Sequence, residues 1–188
     1  MRVIAGKYRS RPLRSLKGLD LRPTSDRLRE TLFNVLTGGN PAALEGTTWL
    51  DLFAGTGAVG IEALSRGASA VYFVESSPAA AKLIEANLQS LGVDTGFRVL
   101  KQNVGEALQN IGKDKIRFDF VFLDPPYRME QSYTETLDFL SHSKIVSTTT
   151  TVVAEHTKHF DPGEEFGRLS RYRKLIQGDT VLSFYRLT

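Results

Sequence analysis

Four residues after one apolar segment have the types and spacing of an amine-binding clamp. Asp124-Pro125-Pro126-Tyr127 follows the hydrophobic run 118–123. Two successive prolines donate no backbone hydrogen bond and stiffen the chain, so a neighbouring carbonyl is left free to accept one from a ligand. A carboxylate before the turn and an aromatic ring after it can hold a planar amino group and stack on the ring that carries it. The motif indicates chemistry at the exocyclic amine of a nucleobase, although a proline pair is also typical of a surface turn.

A glycine-rich turn supplies a second candidate site. Gly55, Gly57 and Gly60 form the pattern G-x-G-x-x-G between a predicted strand and a predicted helix, and Glu75 ends the next strand. Glycines permit a tight turn and close approach of a ligand, while the later acid can hold ribose hydroxyls. This pattern alone does not separate a nicotinamide dinucleotide from S-adenosylmethionine. Asp51 favours S-adenosylmethionine, because a carboxylate at that strand end repels a pyrophosphate and attracts the ammonium group of a methionine moiety.

Three further polar residues have competing interpretations. Asn103, just past the third strand, could hydrogen-bond an adenine edge or could simply be a helix N-cap. His156 and His159 lie three residues apart, but the sequence holds no cysteine and no strong local array of acids. We therefore predict ordinary loop histidines and no metal site.

The pattern of apolar residues predicts an α/β fold with a mostly parallel sheet. After a helix over 24–36, strands and helices alternate from Thr48 to Glu155, which implies a Rossmann-like sheet covered by helices on both faces. Segments 172–177 and 180–187 alternate about Gly178-Asp179 and predict an antiparallel C-terminal hairpin. Residues 2–14 predict a second, N-terminal β-hairpin around Gly6-Lys7. Parallel strands end at one sheet edge, so Asp51, Glu75 and the clamp are expected to meet there.

Length and composition are those of one globular domain. The 188 residues carry 41% hydrophobic and 24% charged side chains, and no apolar run is long enough to cross a bilayer. The start of the sequence lacks a signal-peptide core, and a cysteine-free chain fits a reducing cytoplasm. The net charge of +3 is uneven: residues 1–30 sum to +6 and the remainder to −3. A basic segment beside a catalytic-looking body favours a nucleic-acid substrate, although a solvated basic terminus is common.

These motifs resemble the class I S-adenosylmethionine-dependent methyltransferases. The chain is most similar to the RsmD-type family, which methylates the N2 amino group of a guanine in bacterial 16S ribosomal RNA. The resemblance covers nearly the whole chain. Its specific elements are the segments 2–11 (RVIAGKYRSR) and 22–34 (RPTSDRLRETLFN), joined by 50–57 (LDLFAGTG), the clamp and Gly178-Asp179-Thr180.

The resemblance implies a set of roles. The expected fold is a seven-stranded methyltransferase sheet over residues 23–188, preceded by a basic arm over residues 1–22 that contacts RNA. The catalytic residues would be Asp124, Pro125, Pro126 and Tyr127. The residues expected to bind S-adenosylmethionine are Asp51, Phe53, Ala54, Gly55, Thr56, Gly57, Glu75, Asn103 and Thr24. Those expected to bind RNA are Arg2, Lys7, Arg9, Arg11, Arg14 and Arg22. The partner would be ribosomal RNA within the small subunit or an assembly intermediate, and the enzyme a cytoplasmic monomer without metal or membrane association.

Three other functions compete with this one. The clamp recognises an amine more than a particular base, so an amino methyltransferase acting on DNA adenine N6 or cytosine N4 is the nearest alternative. The small size, with no large insertion for DNA target recognition, counts against it. A nicotinamide-dependent oxidoreductase is disfavoured by Asp51 and the clamp, and a non-catalytic RNA-binding module by the intact motifs.

A second basic cluster, Arg168, Arg171, Arg173 and Lys174, could extend an RNA footprint or could be only a set of exposed charges on a loop.

Overall fold

The computed structural model describes residues 1–15 and 24–188. The helices are α1 (Asp26–Thr37), α2 (Ala58–Ser65), α3 (Pro78–Ser90), α4 (Val104–Ile111) and α5 (Glu130–His142), with a short 3₁₀ helix at Pro41–Leu44. The strands are β1 (Thr48–Leu52), β2 (Ala70–Val74), β3 (Phe97–Leu100), β4 (Phe120–Leu123), β5 (Thr151–Thr157), β6 (Glu165–Phe166), β7 (Leu169–Gln177) and β8 (Thr180–Leu187).

Local sequence sets the ends of the helices. The Ser25 hydroxyl accepts the Leu28 amide at the start of α1, and Gly38 ends that helix in the left-handed conformation. Ser77 caps α3, whose first residue is Pro78, a residue whose fixed φ suits that position. These capping signals are local, which is why the helix predicted over 24–36 matches α1 closely.

The strands form one eight-stranded sheet in the order β3-β2-β1-β4-β5-β8-β7-β6. Strands β1 to β5 are parallel to one another, and β8 pairs antiparallel with both β5 and β7. The parallel register aligns the ends of β1, β2 and β4, since Leu52 pairs with Val74 on one side and with Leu123 on the other. The predicted Rossmann-like α/β fold with an antiparallel C-terminal hairpin is confirmed.

Two details of the prediction differ from the structure. The sheet has eight strands rather than seven, because the chain reverses at Gly167 and the two-residue β6 pairs with the start of β7. The N-terminal hairpin is reduced to one isolated bridge, Arg2 with Pro12. Its tip is occupied by turns over residues 5–10, so no ladder of strand pairs forms.

Side-chain alternation along β1 divides the core between the two faces of the sheet. Trp49 packs with Phe33 and Phe73 on the face covered by α1, α2 and α3. Leu50 and Leu52 pack with the buried residues of α4 and α5 on the other face. Asp51 therefore lies on the same face as Trp49, where it meets the start of α2. Over the described residues, no helix is both long and apolar enough to span a membrane.

Candidate active site

The carboxyl ends of the parallel strands surround a cavity of about 550 Å³. Most of the predicted cofactor and catalytic residues line it: Thr24, Asp51, Phe53, Ala54, Gly55, Thr56, Glu75, Asn103, Asp124, Pro125, Pro126 and Tyr127. Gly57 lies behind the wall, where its Cβ position faces the Ile84 side chain at 3.1 Å. The sheet topology therefore brings together motifs that are more than 70 residues apart in the sequence.

The loop after β1 adopts a tight and strained path. Phe53 has a φ of 59°, in the left-handed region that non-glycine residues rarely occupy. The loop is held by the Ala54 amide, which donates to the Val74 carbonyl at 3.0 Å, and by the Gly55 amide, which donates to Glu75 Oε2 at 2.9 Å. Gly60 serves packing: a Cβ there would lie 2.3 Å from the ring of Phe73. The glycine pattern thus combines a turn with close helix–sheet contact.

Asp51 is a buried carboxyl group in the cavity wall. It is 2% exposed, and its Oδ2 accepts the Gly60 amide at 2.9 Å. Burial raises the pKa of Asp51, the Gly60 hydrogen bond lowers it partly, and the nearby Glu75 carboxylate raises it. The net result of the three effects is a pKa of about 8. A cation placed beside this group would relieve the cost of burying its charge.

Glu75 and Asn103 are oriented by backbone amides. Both carboxylate oxygens of Glu75 accept hydrogen bonds, Oε2 from Gly55 and Oε1 from Ser77 at 2.7 Å. Asn103 caps α4, with its Oδ1 accepting the Glu106 amide at 2.9 Å, and it also lines the cavity. The two interpretations of Asn103 are therefore compatible, because the residue caps α4 through its side-chain oxygen and also lines the cavity.

The clamp occupies the opposite side of the cavity. Asp124 directly follows β4, and its amide donates to the Leu52 carbonyl at 3.4 Å. Burial raises the pKa of Asp124 well above its usual range, and the carboxylates of Glu155 and Asp51 raise it further. Pro125 is buried, whereas the Tyr127 ring is 40% exposed at the rim. This arrangement puts a carboxyl group inside the cavity and an aromatic face at its entrance.

Two elements of the site were missed by the sequence analysis. Glu155 on β5 is buried, and its Oε2 accepts the Thr24 hydroxyl at 2.9 Å, which fixes Thr24 in the cavity wall. The Tyr133 hydroxyl of α5 donates to the Glu155 carbonyl at 2.6 Å. A usable signal existed, because Glu155 is an acid near the carboxyl end of a parallel strand, as Asp51, Glu75 and Asp124 are. The α5 residues Ser132, Glu135, Thr136 and Phe139, which also line the cavity, carried no such signal.

The N-terminal segment is fixed to the body of the protein by its backbone. The amides of Ile4 and Ala5 donate to the buried carboxylate of Glu62 at 2.8 and 3.0 Å. Gly6 passes so close to α2 that a Cβ would lie 1.8 Å from the Ser65 carbonyl oxygen, and its φ is 80°. This backbone anchoring leaves the neighbouring basic side chains at the surface.

The residues predicted to bind RNA divide into five that are exposed and one that lies outside the described residues. The exposed ones are Arg2, Lys7, Arg9, Arg11 and Arg14. Arg11 donates to the Ser90 carbonyl at 3.1 Å. Arg22 and the predicted domain boundary at 22/23 lie outside the described residues.

Within the histidines and the second basic cluster, His156 and Arg171 make hydrogen bonds or ion pairs with other residues of the protein. His156 lies on β5 rather than in a loop; it is buried and shares a hydrogen bond of 2.9 Å with the Ser183 hydroxyl, so the prediction of a loop histidine was wrong there. His159 lies in the turn that follows β5, as predicted. The β5 strand continues to Thr157 because it pairs with β8 from Val152 to Thr157. Arg171 is paired with Asp161 and Glu164 at 2.6 and 3.0 Å. Within residues 1–15 and 24–188, no group of three or more His, Cys, Asp or Glu could hold a metal ion.

Comparison with known proteins links this chain to a family. The family model described as Conserved hypothetical protein 95 matches residues 1–186. A Bacillus subtilis protein provisionally named an rRNA methyltransferase, YlbH, is 34% identical over 99% of this chain and 98% of its own length. Ribosomal RNA small subunit methyltransferase D of Haemophilus influenzae is 41% identical over 128 residues, which are 68% of this chain and 64% of that protein.

Solved structures share the fold. The protein yhhF of Escherichia coli, provisionally named a methyltransferase, superposes with a TM-score of 0.83 and 29% identity, covering 100% of this chain and 97% of that one. SMU.776, a provisionally named methyltransferase complexed with SAH, has a TM-score of 0.66 and 16% identity over 85% of this chain and 49% of that one. The second likeness is one of fold alone.

Proposed function

Because this chain belongs to the family described as Conserved hypothetical protein 95, we propose that it is an S-adenosylmethionine-dependent methyltransferase of small-subunit ribosomal RNA. The target we propose is the exocyclic N2 amino group of a guanine. One observation carries the proposal: a single cavity holds the Asp51 and Glu75 carboxyl groups on one side and the Asp-Pro-Pro-Tyr clamp on the other. The names of the relatives support ribosomal RNA as the substrate class. The choice of guanine N2 is supported by the resemblance of the N-terminal segments.

The residues on the β1 and β2 side of the cavity fit a methionine-containing nucleoside. Asp51 offers a buried carboxyl group for an ammonium ion, and Glu75 offers oriented carboxylate oxygens for ribose hydroxyls. Asn103 and the start of α4 line the part of the wall that would face the adenine. When bound, S-adenosylmethionine supplies an activated methyl group on a positively charged sulfur.

The clamp prepares the amine for attack. An aromatic amine is a poor nucleophile, because its lone pair is delocalised into the ring. Hydrogen bonds from its two N–H groups to the Asp124 carboxylate and the Pro125 carbonyl favour a pyramidal nitrogen and stabilise the positive charge that develops on it. Stacking on Tyr127 fixes the plane of the base, an interaction worth about 1–3 kcal/mol per base. Positioning therefore supplies most of the rate enhancement.

The proton balance is completed inside the clamp. Transfer of the methyl group from the cofactor, which would leave as S-adenosylhomocysteine, would make the amine nitrogen positively charged, and the nitrogen would then shed one proton. Asp124 lies within the clamp and, in its ionised form, can receive that proton. No separate strong base is needed, because a methylated, charged aromatic amine is strongly acidic.

The proposal is tested by labelled methyl transfer and by two variants. Small ribosomal subunits from cells that lack this enzyme are incubated with the protein and labelled S-adenosylmethionine, and the modified nucleoside is identified by mass spectrometry. We expect N2-methylguanosine in the ribosomal RNA. Asp124→Ala should abolish turnover while cofactor binding stays measurable by calorimetry. Asp114→Asn, at an exposed position outside the cavity, is the matched control and should keep full activity.

Three outcomes contradict parts of the proposal. Label in DNA as N6-methyladenine or N4-methylcytosine would support the alternative amino methyltransferase. Label in ribosomal RNA at another base would retain the substrate class and refute the guanine assignment. Unchanged turnover in Asp124→Ala would refute the role of the clamp.

A further inference from the structure

A second cavity of about 480 Å³ lies between the N-terminal segment, α1 and the end of α2. We call it the arginine cleft. It is lined by Arg2, Val3, Ile4, Ala5, Arg9, Ser10, Asp26, Arg27, Glu30, Asn34 and Arg66. The cleft is distinct from the proposed active-site cavity, since none of these residues lines the latter.

Charge in the arginine cleft is predominantly positive. Its four arginines face two acids, Asp26 and Glu30, which leaves a net charge of +2. Asp26 is already engaged, because its Oδ1 accepts a hydrogen bond of 2.8 Å from the buried Arg29 and its Oδ2 lies 3.7 Å from Arg2. The cleft can therefore accept an anion with little competition from Asp26.

Two of the four arginines are suited to bind that anion. Arg66 is tied to Glu62 at 2.7 Å and lies over the Phe33 ring, so its position is fixed and its charge is already balanced. Arg9, from the N-terminal segment, and Arg27, from α1, are both exposed and come from different walls. Planar guanidinium groups from two walls match the geometry of a phosphodiester.

The walls of the arginine cleft are rigid. Glu62 holds the amides of Ile4 and Ala5, and Arg29 donates to the Arg2 carbonyl at 2.6 Å. Ser10, at the far end of the segment, has a φ of 67° and is fixed by its amide, which donates to the Val3 carbonyl at 2.9 Å. A preorganised cleft loses little conformational entropy when it binds a ligand.

Buried contacts connect the arginine cleft to the active-site cavity. Arg29, with 0% exposure, donates to the carbonyls of both Arg2 and Thr24, and these two residues belong to the cleft and to the cavity respectively. The Thr56 hydroxyl of the cofactor loop donates to Met1 Sδ at 3.7 Å, next to Arg2. A polyanion seated in the cleft would thus lie beside the cavity that takes the target base.

We propose that the arginine cleft binds a backbone phosphate of the substrate RNA and so fixes the register of the strand relative to the active-site cavity. This inference rests on the proposed function for the identity of the polyanion. Arg9 and Arg27 supply the contacts to the phosphate, and their contribution is sequence-independent and salt-dependent.

The experiment measures RNA binding and methylation separately. Binding of labelled 16S ribosomal RNA is followed by filter retention from low to moderate salt for the native protein and for the Arg9→Gln/Arg27→Gln double variant. Loss of one neutralised phosphate should reduce the slope of log K against log salt by about 1, so the double variant should lose about 1. Its affinity for RNA at low salt should fall roughly tenfold or more. Affinity for S-adenosylhomocysteine should not change, whereas methyl transfer to the RNA should fall together with RNA binding.

A matched control removes the same charge elsewhere. Lys115→Gln/Arg117→Gln also lowers the net charge by two, at exposed positions just before β4 that do not line the arginine cleft. It should reduce the slope by much less. The single variants Arg9→Gln and Arg27→Gln should each show about half the effect, which guards against a folding defect in the double variant.

The outcomes separate the two proposals. A double variant with the salt slope of the native protein, or with the slope of the control, overturns the arginine cleft as a phosphate site. If the native protein binds RNA through the cleft but transfers no methyl group to it, the proposed function fails and the cleft stands.

Discussion

Cofactor binding should depend strongly on pH because of one buried carboxyl group. Asp51 has a pKa of about 8 in the protein without a bound cation. The ammonium group of the cofactor interacts favourably with the ionised form only. Binding at lower pH must therefore include the cost of removing the Asp51 proton. We expect the affinity for S-adenosylhomocysteine to rise steadily from pH 6 to pH 8.

The magnitude follows from the fraction of ionised Asp51. With a pKa of about 8, that fraction is about one in a hundred at pH 6, one in ten at pH 7 and one in two at pH 8. The dissociation constant should therefore fall about fiftyfold between pH 6 and pH 8, and the free-energy penalty at pH 6 is roughly 3 kcal/mol. Close to one proton should be released on binding at pH 7, because nearly all Asp51 is protonated before binding and ionised after it.

Isothermal titration calorimetry checks this directly. S-adenosylhomocysteine is titrated at pH 6, 7 and 8, and at pH 7 in buffers of different ionisation enthalpy, which yields the number of protons released. Asp51→Asn keeps an oxygen for the Gly60 amide but cannot ionise, so it should bind more weakly at pH 8, with no dependence on pH. Asp124→Asn is the matched control, since the pKa of Asp124 is also raised. It should retain most of the pH dependence.

Two results would refute this reasoning. One is a dissociation constant that does not change between pH 6 and pH 8 in the native protein. The other is an equal pH dependence in Asp51→Asn. Stability provides an independent check: a carboxyl group whose pKa is higher in the folded than in the unfolded state makes folding less favourable as pH rises from about 4 to about 8. Asp51→Asn should remove that loss, which urea unfolding at pH 5 and pH 8 would measure.

Substitutions at Gly60 and Asn87 test the packing and the buried hydrogen bonds beneath the site. Gly60→Ala should destabilise the fold by about 1–3 kcal/mol in urea unfolding, because the new Cβ would lie 2.3 Å from the Phe73 ring. Gly105→Ala, where only the Asn103 amide oxygen lies near at 3.5 Å, should be neutral or slightly stabilising, and a loss equal to that of Gly60→Ala would contradict the explanation. Asn87→Ala should cost about 3 kcal/mol and weaken cofactor binding, because this buried amide donates to the Thr56 carbonyl at 3.1 Å and bonds the backbone of the N-terminal segment. Stability equal to that of the native protein in Asn87→Ala would show that these hydrogen bonds contribute little.

Local signals were sufficient for most of the fold. Capping residues, glycine stops and apolar periodicity are encoded within a few residues, so the helix predicted over 24–36 is observed over 26–37, and the strand predicted over 180–187 has the observed bounds of β8. The two-residue β6 was missed because its only support is pairing with β7. The N-terminal hairpin was overestimated because alternating residues favour a strand, whereas the segment takes its shape from contacts with α2.

The residues of the candidate site likewise divide into those that local sequence signals identify and those that only long-range contacts bring together. Acids and glycines at the ends of apolar strands are visible in the sequence, and the rule that parallel strands end at one edge was enough to place Asp51, Glu75 and Asp124 together. Glu155 could not be paired with Thr24 in this way, since the two are 131 residues apart and no local pattern connects them. Arg29 belongs to a basic segment in the sequence, yet its guanidinium is buried and holds the backbone of its neighbours.

The sequence by itself determined the element types, the sheet edge and the chemical groups of the clamp, because these depend on short-range periodicity and on residue chemistry. Only the tertiary structure decided which arginines are structural and which are exposed, which carboxyl groups have raised pKa values, and where the arginine cleft lies. Burial and long-range hydrogen bonds set those properties, and they exist only after distant segments have packed together.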